Sequence, residues 1–293
     1  MFFRKSNGLK MIKLGIIGYP LGHSLSPFMH NAALQSSGIE GNYAVFETPT
    51  EKLNEQIKLF KEQEFKGFNV TIPHKVKIIN LLDSIDCFAQ LVGAVNTVVI
   101  GEDQKLHGYN TDVYGFVYAI NEDLRINLVG KKAAVIGSGG AARAVLAGLV
   151  EMGLDEITIF ARNQEKAEEL KQNILKTLPD FKINHQPLTE NIDLSKYFIV
   201  VNTTPIGMQG SNEGLSPLSE SSIASLPKNA IVYDIVYKPR KTKLLELAEK
   251  QGLKTIDGLE MLILQGAKGF ESWTGQTPPI NIMREALISC LSD

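Results

Sequence analysis

Apolar residues along this chain fall into two kinds of stretch that alternate almost throughout. Short continuous runs such as Ala133-Ala134-Val135-Ile136 and Tyr197-Phe198-Ile199-Val200-Val201 have the length and content of buried strands. Between such runs apolar residues recur every three or four positions, as Ala167, Leu170 and Ile174 do, which marks the inward face of a helix. Strand and helix in alternation predict an α/β fold with parallel sheets.

The first half reads as strand Ile12–Gly18, a helix through Met29, Ala33 and Leu34, strand 42–47 and helix 50–62. Asn69 to Ile72 is strand-like, and Pro73 suits the first turn of a helix with Val76, Ile79 and Leu82 inward. Stretches 94–99 and 105–109 read as a hairpin over Gly101-Glu102-Asp103, followed by a helix carrying Phe116, Val117 and Ile120. Later strands are expected at 133–136, 156–160, 197–202, 231–237 and 255–258. Helices follow the first of them and cover 164–178 and 242–251, and two wide-faced helices, 259–273 and Ile280–Leu291, close the chain.

At 293 residues the chain has room for two domains. Its 44% apolar and 21% charged residues describe an ordinary globular protein. No apolar run approaches the roughly 20 residues of a membrane span. A net charge of -2 gives no reason to expect nucleic acid or an anionic membrane as partner. Cys87 and Cys290 make neither a metal-ligand spacing nor a disulfide framework, which predicts no metal and suits the reducing cytoplasm. Residues 1–10 lack the apolar core of a signal peptide, and Met11 opens the first strand. The leader therefore reads as an upstream start or as a remnant foreign to the native protein.

Chemistry enters at Gly137-Ser138-Gly139-Gly140-Ala141-Ala142, which fits G-x-G-x-x-A between a strand and a helix. The first glycine permits a tight turn, the second lets a pyrophosphate approach the backbone, and the helix N-terminus offers N–H groups to phosphates. A strand end specific for NAD carries Asp or Glu for the ribose 2'-hydroxyl, but here Ala161-Arg162-Asn163 stands there. Arg162, helped by Lys166, suits a 2'-phosphate, so NADP is the expected cofactor. Ser24 and Ser26, with His23, read either as loop turn and helix cap or as a seat for a carboxylate and hydroxyls. Lys75, placed in a first helical turn, opposes the helix dipole, and a local rule broken without visible gain marks a functional candidate. Dipole and partial burial both favour the neutral amine that an acid/base lysine needs. Asp112 at a helix start is explained by capping alone unless it meets Lys75. Gln265, polar among Leu262, Ile263 and Leu264, reads as a satisfied amide or a ligand contact.

Several stretches together resemble shikimate dehydrogenases. They are Leu21-Gly22-His23-Ser24-Leu25-Ser26-Pro27, Asn69-Val70-Thr71-Ile72-Pro73-His74-Lys75, Gly93-Ala94-Val95-Asn96-Thr97 and Tyr109-Asn110-Thr111-Asp112. The glycine turn, Asn202-Thr203-Thr204, Asp234-Ile235-Val236-Tyr237 and Asp257-Gly258-Leu259 continue the match in unbroken order. The resemblance implies an N-terminal α/β substrate domain, residues 11–113 completed by 259–293, and a Rossmann-type NADP domain over 114–258, with a cleft between. It assigns Ser24, Ser26, Thr71, Asn96, Asp112, Tyr237 and Gln265 to shikimate or 3-dehydroshikimate, and Lys75 with Asp112 to catalysis. NADP would touch Gly137, Ser138, Gly139, Gly140, Ala141, Ala161, Arg162, Asn163, Lys166, Thr203, Ile235 and Gly258. The family often has Asn-Arg-Thr where this chain has Ala161-Arg162-Asn163, and a glycine where Glu260 stands.

The implied reaction is reversible reduction of 3-dehydroshikimate to shikimate with NADPH, in the pathway to chorismate and the aromatic amino acids. A cytoplasmic monomer or homodimer with no nucleic-acid or membrane partner is expected. Two rivals stand beside it: a broader quinate/shikimate dehydrogenase using NAD, and a ligand-sensing relative without catalysis. Arg162 argues against the first, and intact Lys75 and Asp112 against the second.

Overall fold

A computed structural model describes residues 11–22, 24–124 and 127–291, so the leader and His23 lie outside the described residues. In chain order the first elements are β1 (Ile12–Gly18), α1 (Ser26–Ser36), β2 (Gly41–Glu47), α2 (Leu53–Glu62), β3 (Gly67–Val70), β4 (Ser84–Ile85), α3 (Cys87–Val92), β5 (Thr97–Ile100) and β6 (Leu106–Tyr109). Then come α4 (Thr111–Leu124), β7 (Lys132–Ile136), α5 (Gly140–Glu151), β8 (Glu156–Ala161), α6 (Gln164–Thr177), β9 (Lys182–Pro187) and β10 (Ile199–Asn202). The last are α7 (Glu220–Ala224), β11 (Ile231–Asp234), α8 (Lys243–Lys250), β12 (Lys254–Ile256), α9 (Leu259–Thr274) and α10 (Ile280–Leu291). No helix among the described residues is long and apolar enough to cross a membrane.

The chain packs as two compact units. One takes the described residues up to Ser84, Asn96–Gly108 and the chain from Gly269 onward. Its sheet runs β2-β1-β3-β5-β6-β4, with β1 parallel to β2 and β3, and β3 antiparallel to β5. β1 is buried from Leu14 to Gly18 because it lies inside the sheet, which is why its sequence is a near-continuous apolar run. Trp273 donates its indole N–H to the Val98 carbonyl at 2.9 Å, and a Cβ on Gly67 would overlap the indole. Gly67 therefore lets the tail of α9 lie directly on this sheet.

The other unit comprises Ile85–Val95 and Tyr109–Lys268. Its sheet runs β12-β11-β10-β7-β8-β9, with the registered pairs parallel. Counted from β7, that is the 3-2-1-4-5-6 order of a dinucleotide-binding sheet, with the switch point between β7 and β10. These units divide the chain elsewhere than at 113/114 and 258/259. Val92, Ala94 and Val113 bury their side chains with Ala144 and Ala147 of α5, so α3 and the start of α4 belong to the dinucleotide unit.

Local expectations fail where backbone polar groups or edges decide the geometry. Pro73 opens no α-helix: a turn leads to a five-residue 3-10 helix, Lys77–Leu81, in which Ile78 is buried, and Val76 just before it is exposed. Thr71 and Ile72 lie beyond β3, and Ala94 and Val95 before β5. β11 ends at Asp234, so Ile235, Val236 and Tyr237 leave the sheet. β9, an edge strand with only Ile183 fully buried, carries too little apolar pattern to be read in advance.

Candidate active site

The glycine turn after β7 is built by leaving side chains out. Gly137 has φ +107°, and a Cβ there would stand 2.8 Å from both Thr203 Oγ1 and Thr204 Cγ2. Thr203 donates both its N–H (2.9 Å) and its hydroxyl (2.7 Å) to the Ile136 carbonyl. It braces the turn from below. A Cβ on Gly139 or Gly140 would meet nothing within 4 Å, and α5 begins at Gly140 without a side-chain cap. Ser138 and Ala141 flank this opening half-buried. Open space before uncapped helix N–H groups fits a pyrophosphate. At the end of β8, Ala161 is buried while Arg162 and Lys166 are exposed. Asn163 accepts from the Lys166 N–H at 2.8 Å and so caps α6, presenting that helix with Arg162 just before it.

Asp112, half-buried, sits in the first turn of α4. The cap is Asn110, whose Oδ1 accepts from the Val113 N–H at 3.4 Å while its Nδ2 donates to the Ala94 carbonyl at 2.9 Å. The capping explanation for Asp112 thus passes to Asn110. One turn on, a Cβ at Gly115 would lie 2.5 Å from the Met261 carbonyl and 3.0 Å from Gln265 Cβ. That close helix crossing sets Gln265 beside the turn that carries Asp112. Gln265 donates Nε2 to the Leu262 carbonyl at 2.8 Å. Gly258 packs against the Ile235 carbonyl with no room for a Cβ, and its N–H donates to the Val236 carbonyl at 3.1 Å. Ile235, Val236 and the start of α9 are therefore joined backbone to backbone, and burial raises the pKa of the Tyr237 phenol.

In the other unit, Ser24 Oγ accepts from the Ser26 N–H at 3.4 Å. The helix starts at Ser26 itself, with Leu25 in the cap position and no side-chain cap bond, so Ser26 is not the cap its sequence suggests. Its hydroxyl lies near enough to the phenol of Tyr43 to lower that group's pKa. Tyr43 donates to Asn69 Oδ1 at 2.6 Å, and Asn69 Nδ2 donates to the Asn96 carbonyl (3.1 Å) and Thr97 Oγ1 (3.0 Å). Thr97 in turn donates to Asn96 Oδ1 at 3.1 Å. Burial holds the Tyr43 phenol well above its ordinary value, and the Ser26 bond offsets part of that. Tyr43 and Asn96 are thus tied into one network through Asn69, and Ser26 stands at its phenol end. The sequence reading missed both linkers; its one available signal was an amide inside the wholly buried strand β3.

Thr71 donates its N–H to the Ile17 carbonyl at 2.9 Å, and its methyl fills the space over Gly18. Lys75, half-buried, lies in the turn before the 3-10 helix, so the dipole argument for it does not apply. Its neighbour His74 is fully buried, with Nε2 2.6 Å from the Thr48 carbonyl and its N–H on the Thr71 carbonyl at 2.9 Å. Because that ring nitrogen faces a carbonyl it carries the proton, and His74 pins the Lys75 turn to the segment after β2. Ser24, Ser26, Thr71, Lys75 and Asn96 belong to one unit, and Asp112, Tyr237, Gln265 and the cofactor candidates to the other.

Known proteins resemble this chain along most of its length. Three family models match: a shikimate dehydrogenase substrate binding domain over residues 16–98, shikimate/quinate 5-dehydrogenase over 120–204, and a shikimate 5'-dehydrogenase C-terminal domain over 258–288. The shikimate dehydrogenase (NADP(+)) of Methanococcus maripaludis is 43% identical over 278 residues, covering 94% of this chain and 96% of that protein. A crystal structure of a shikimate dehydrogenase in complex with NADP+ superposes with a TM-score of 0.89 at 40% identity, covering 97% of both chains. A quinate dehydrogenase from Corynebacterium glutamicum in complex with NAD reaches the same TM-score, 0.89, at 31% identity over 95% of this chain and 99% of that one. With its glycine turn, its serine–asparagine network and matches along nearly its whole length, the chain belongs to the shikimate/quinate dehydrogenase family.

Proposed function

We propose that the chain is an NADP-dependent shikimate dehydrogenase, reducing 3-dehydroshikimate to shikimate and running the reverse oxidation. The observation that carries this is the open, uncapped glycine turn in a chain that also keeps Lys75, Asp112 and the Ser26–Asn96 network. NADPH, when bound, supplies the hydride for the C3 carbonyl of the substrate. The N–H groups at the start of α5 receive its pyrophosphate, and Arg162 with Lys166 receives the 2'-phosphate. Ser24, Ser26, Thr71, Asn96, Tyr237 and Gln265 hold the substrate's carboxylate and hydroxyls and so orient the carbonyl. Lys75 gives its proton to the oxygen at C3 as that oxygen gains charge, and takes it back in the reverse direction. Asp112 is the second residue we assign to catalysis. The described residues up to Ser84, those of 96–108 and those from Gly269 onward then supply the substrate side, and most of the other described residues the cofactor side. We place the enzyme in the cytoplasm, where its two free cysteines stay reduced, with small molecules as its ligands.

The test is steady-state oxidation of shikimate and of quinate, each with NADP and NAD, for the wild type, Lys75→Ala, Asp112→Asn and the double variant. Shikimate with NADP should be the preferred pair, and Lys75→Ala should lower turnover by about 10²–10⁴ at unchanged NADP affinity. The double variant should lose much less than the product of the two single losses, because paired groups act as a unit. Full turnover in folded Lys75→Ala would remove the mechanism. Preference for quinate with NAD would move the chain to the other branch of its family.

A further inference from the structure

Asp234 is fully buried at the end of β11, and no step of the reaction uses it. Its Oδ1 accepts from Asn202 Nδ2 at 2.9 Å and from the Val236 N–H at 3.1 Å. Its Oδ2 accepts from the Thr242 hydroxyl at 2.7 Å, and that same hydroxyl oxygen accepts the Leu245 N–H at 3.4 Å as the cap of α8. One carboxylate therefore joins the end of β10, the turn that leaves β11 and the start of α8. Asn202 extends the joint: its Nδ2 also donates to the Ile206 carbonyl (3.2 Å), and its Oδ1 accepts from the Thr204 N–H (3.0 Å) and hydroxyl (2.7 Å). Around the same turn, the Gln209 N–H donates to the Lys238 carbonyl at 2.8 Å, and Arg240 forks onto Asp257 with two 2.9 Å contacts. Burial pushes the Asp234 carboxyl up to about 6, so a charge at this place stands at a cost that a plain packing residue would avoid.

We propose that Asp234 is a positioning residue: it fixes the Ile235–Val236–Tyr237 turn relative to the Thr203–Thr204 loop and α8, and so sets where Tyr237 meets the substrate. This rests on the assignment of Tyr237 to substrate binding, and the two claims separate under experiment. Hydrogen exchange of residues 235–242, followed by mass spectrometry, reads the turn directly. Asp234→Ala should speed exchange there by about tenfold or more while leaving β7 and β8 unchanged. Asp234→Asn should restore near-wild-type exchange, since its oxygen serves Asn202 and Val236 and its nitrogen can donate to Thr242. In the same proteins the KM for shikimate should rise about fivefold or more in Asp234→Ala and return to within about twofold in Asp234→Asn. If Asp234→Ala does not fold, Thr242→Val removes one of the three ties and should move exchange and KM in the same direction by less.

Unchanged exchange in a folded Asp234→Ala overturns the proposal. Faster exchange with unchanged KM calls on Tyr237→Phe. If Tyr237→Phe raises KM, Asp234 does not set the position of Tyr237 and the proposal fails. If Tyr237→Phe leaves KM alone, Asp234 holds the turn as argued and the assignment of Tyr237 is what fails.

Discussion

At Gly139 and Gly140 an added side chain would touch nothing, whereas at Tyr43 and Asn69 the side-chain polar groups are engaged and the space is full. The glycine turn makes room for a ligand that brings its own charge, so the protein supplies backbone N–H groups and emptiness. On the function we propose, the network around Tyr43 and Asn69 orients neutral groups for a polyhydroxylated substrate, so each donor and acceptor is held by another one behind it. The two regions ought therefore to respond differently to substitution. The turn should lose function without losing stability, and the network should lose both.

The contrast is sharpest between Asn69→Leu and Gly139→Ala. Asn69→Leu keeps the volume but removes the acceptor of the buried Tyr43 hydroxyl and one of the bonds made to the Asn96 carbonyl and to Thr97, which keep their bonds to the Val70 N–H and to Asn96 Oδ1. At about 1–3 kcal/mol for the buried donor that loses its acceptor and about 0.5–1.5 kcal/mol for each further bond removed, the loss should come to about 2–6 kcal/mol, with a higher KM for shikimate. Gly139 has φ -85° and ψ -173°, a backbone any residue adopts, so Gly139→Ala should hold stability or raise it by about 0.4–1 kcal/mol. Its cost should appear in the KM for NADP alone. Melting curves and kinetics on the two proteins check this, and equal destabilisation in both would break the comparison.

The same contrast explains what could be read from the sequence. The turn was legible because its parts are contiguous: Gly137, Gly139 and Ala142 lie within six positions between a buried strand and a helix. Buried strands were legible too, as runs such as 133–136 and 156–160, which lie in the sheet interior. Tyr43 and Asn69 were not legible, since their bond spans 26 positions and each taken alone passes for an ordinary strand residue. Lys75 was singled out for a wrong reason: the dipole of a helix that does not form, when His74 and Thr48 are what shape its turn. Asp112 and Ser26 were each weighed against a capping role that the structure gives to Asn110 and to no side chain, respectively. Caps are decided by one residue of register, which periodicity does not resolve.

A smaller effect belongs to the outer end of the cofactor region. Arg162 is exposed, so its contribution comes from the charge-assisted bonds it makes to a 2'-phosphate and from little else. Arg162→Ala should raise the KM for NADP by about tenfold or more, the equivalent of about 1.5–3 kcal/mol, with no change in melting temperature. The KM for NAD should hardly move. Equal losses with both cofactors would mean that Arg162 supports the end of β8 instead of reading the phosphate, and the turn region would then resemble the network more than we argue.

The smallest expected effect is also the finest probe, because Ser26 stands where the two kinds of construction meet. It begins a helix and it ends the Tyr43–Asn69 network. If Ser26 capped α1, Ser26→Ala would cost about 1 kcal/mol of stability and leave substrate binding alone. In the structure the cap position is Leu25 and Ser26 makes no capping bond, while Tyr43 keeps its donation to Asn69 when the serine hydroxyl is gone. Stability should therefore stay within about 0.5 kcal/mol of wild type. The KM for shikimate should rise about two- to twelvefold, the loss of one hydrogen bond worth roughly 0.5–1.5 kcal/mol, with turnover little changed. Tyr43→Phe should give part of the same rise, because it frees the Ser26 hydroxyl to turn without removing it. A melting temperature that falls while KM stays put would put Ser26 back at the helix end. The network would then be scaffolding for Asn96 alone.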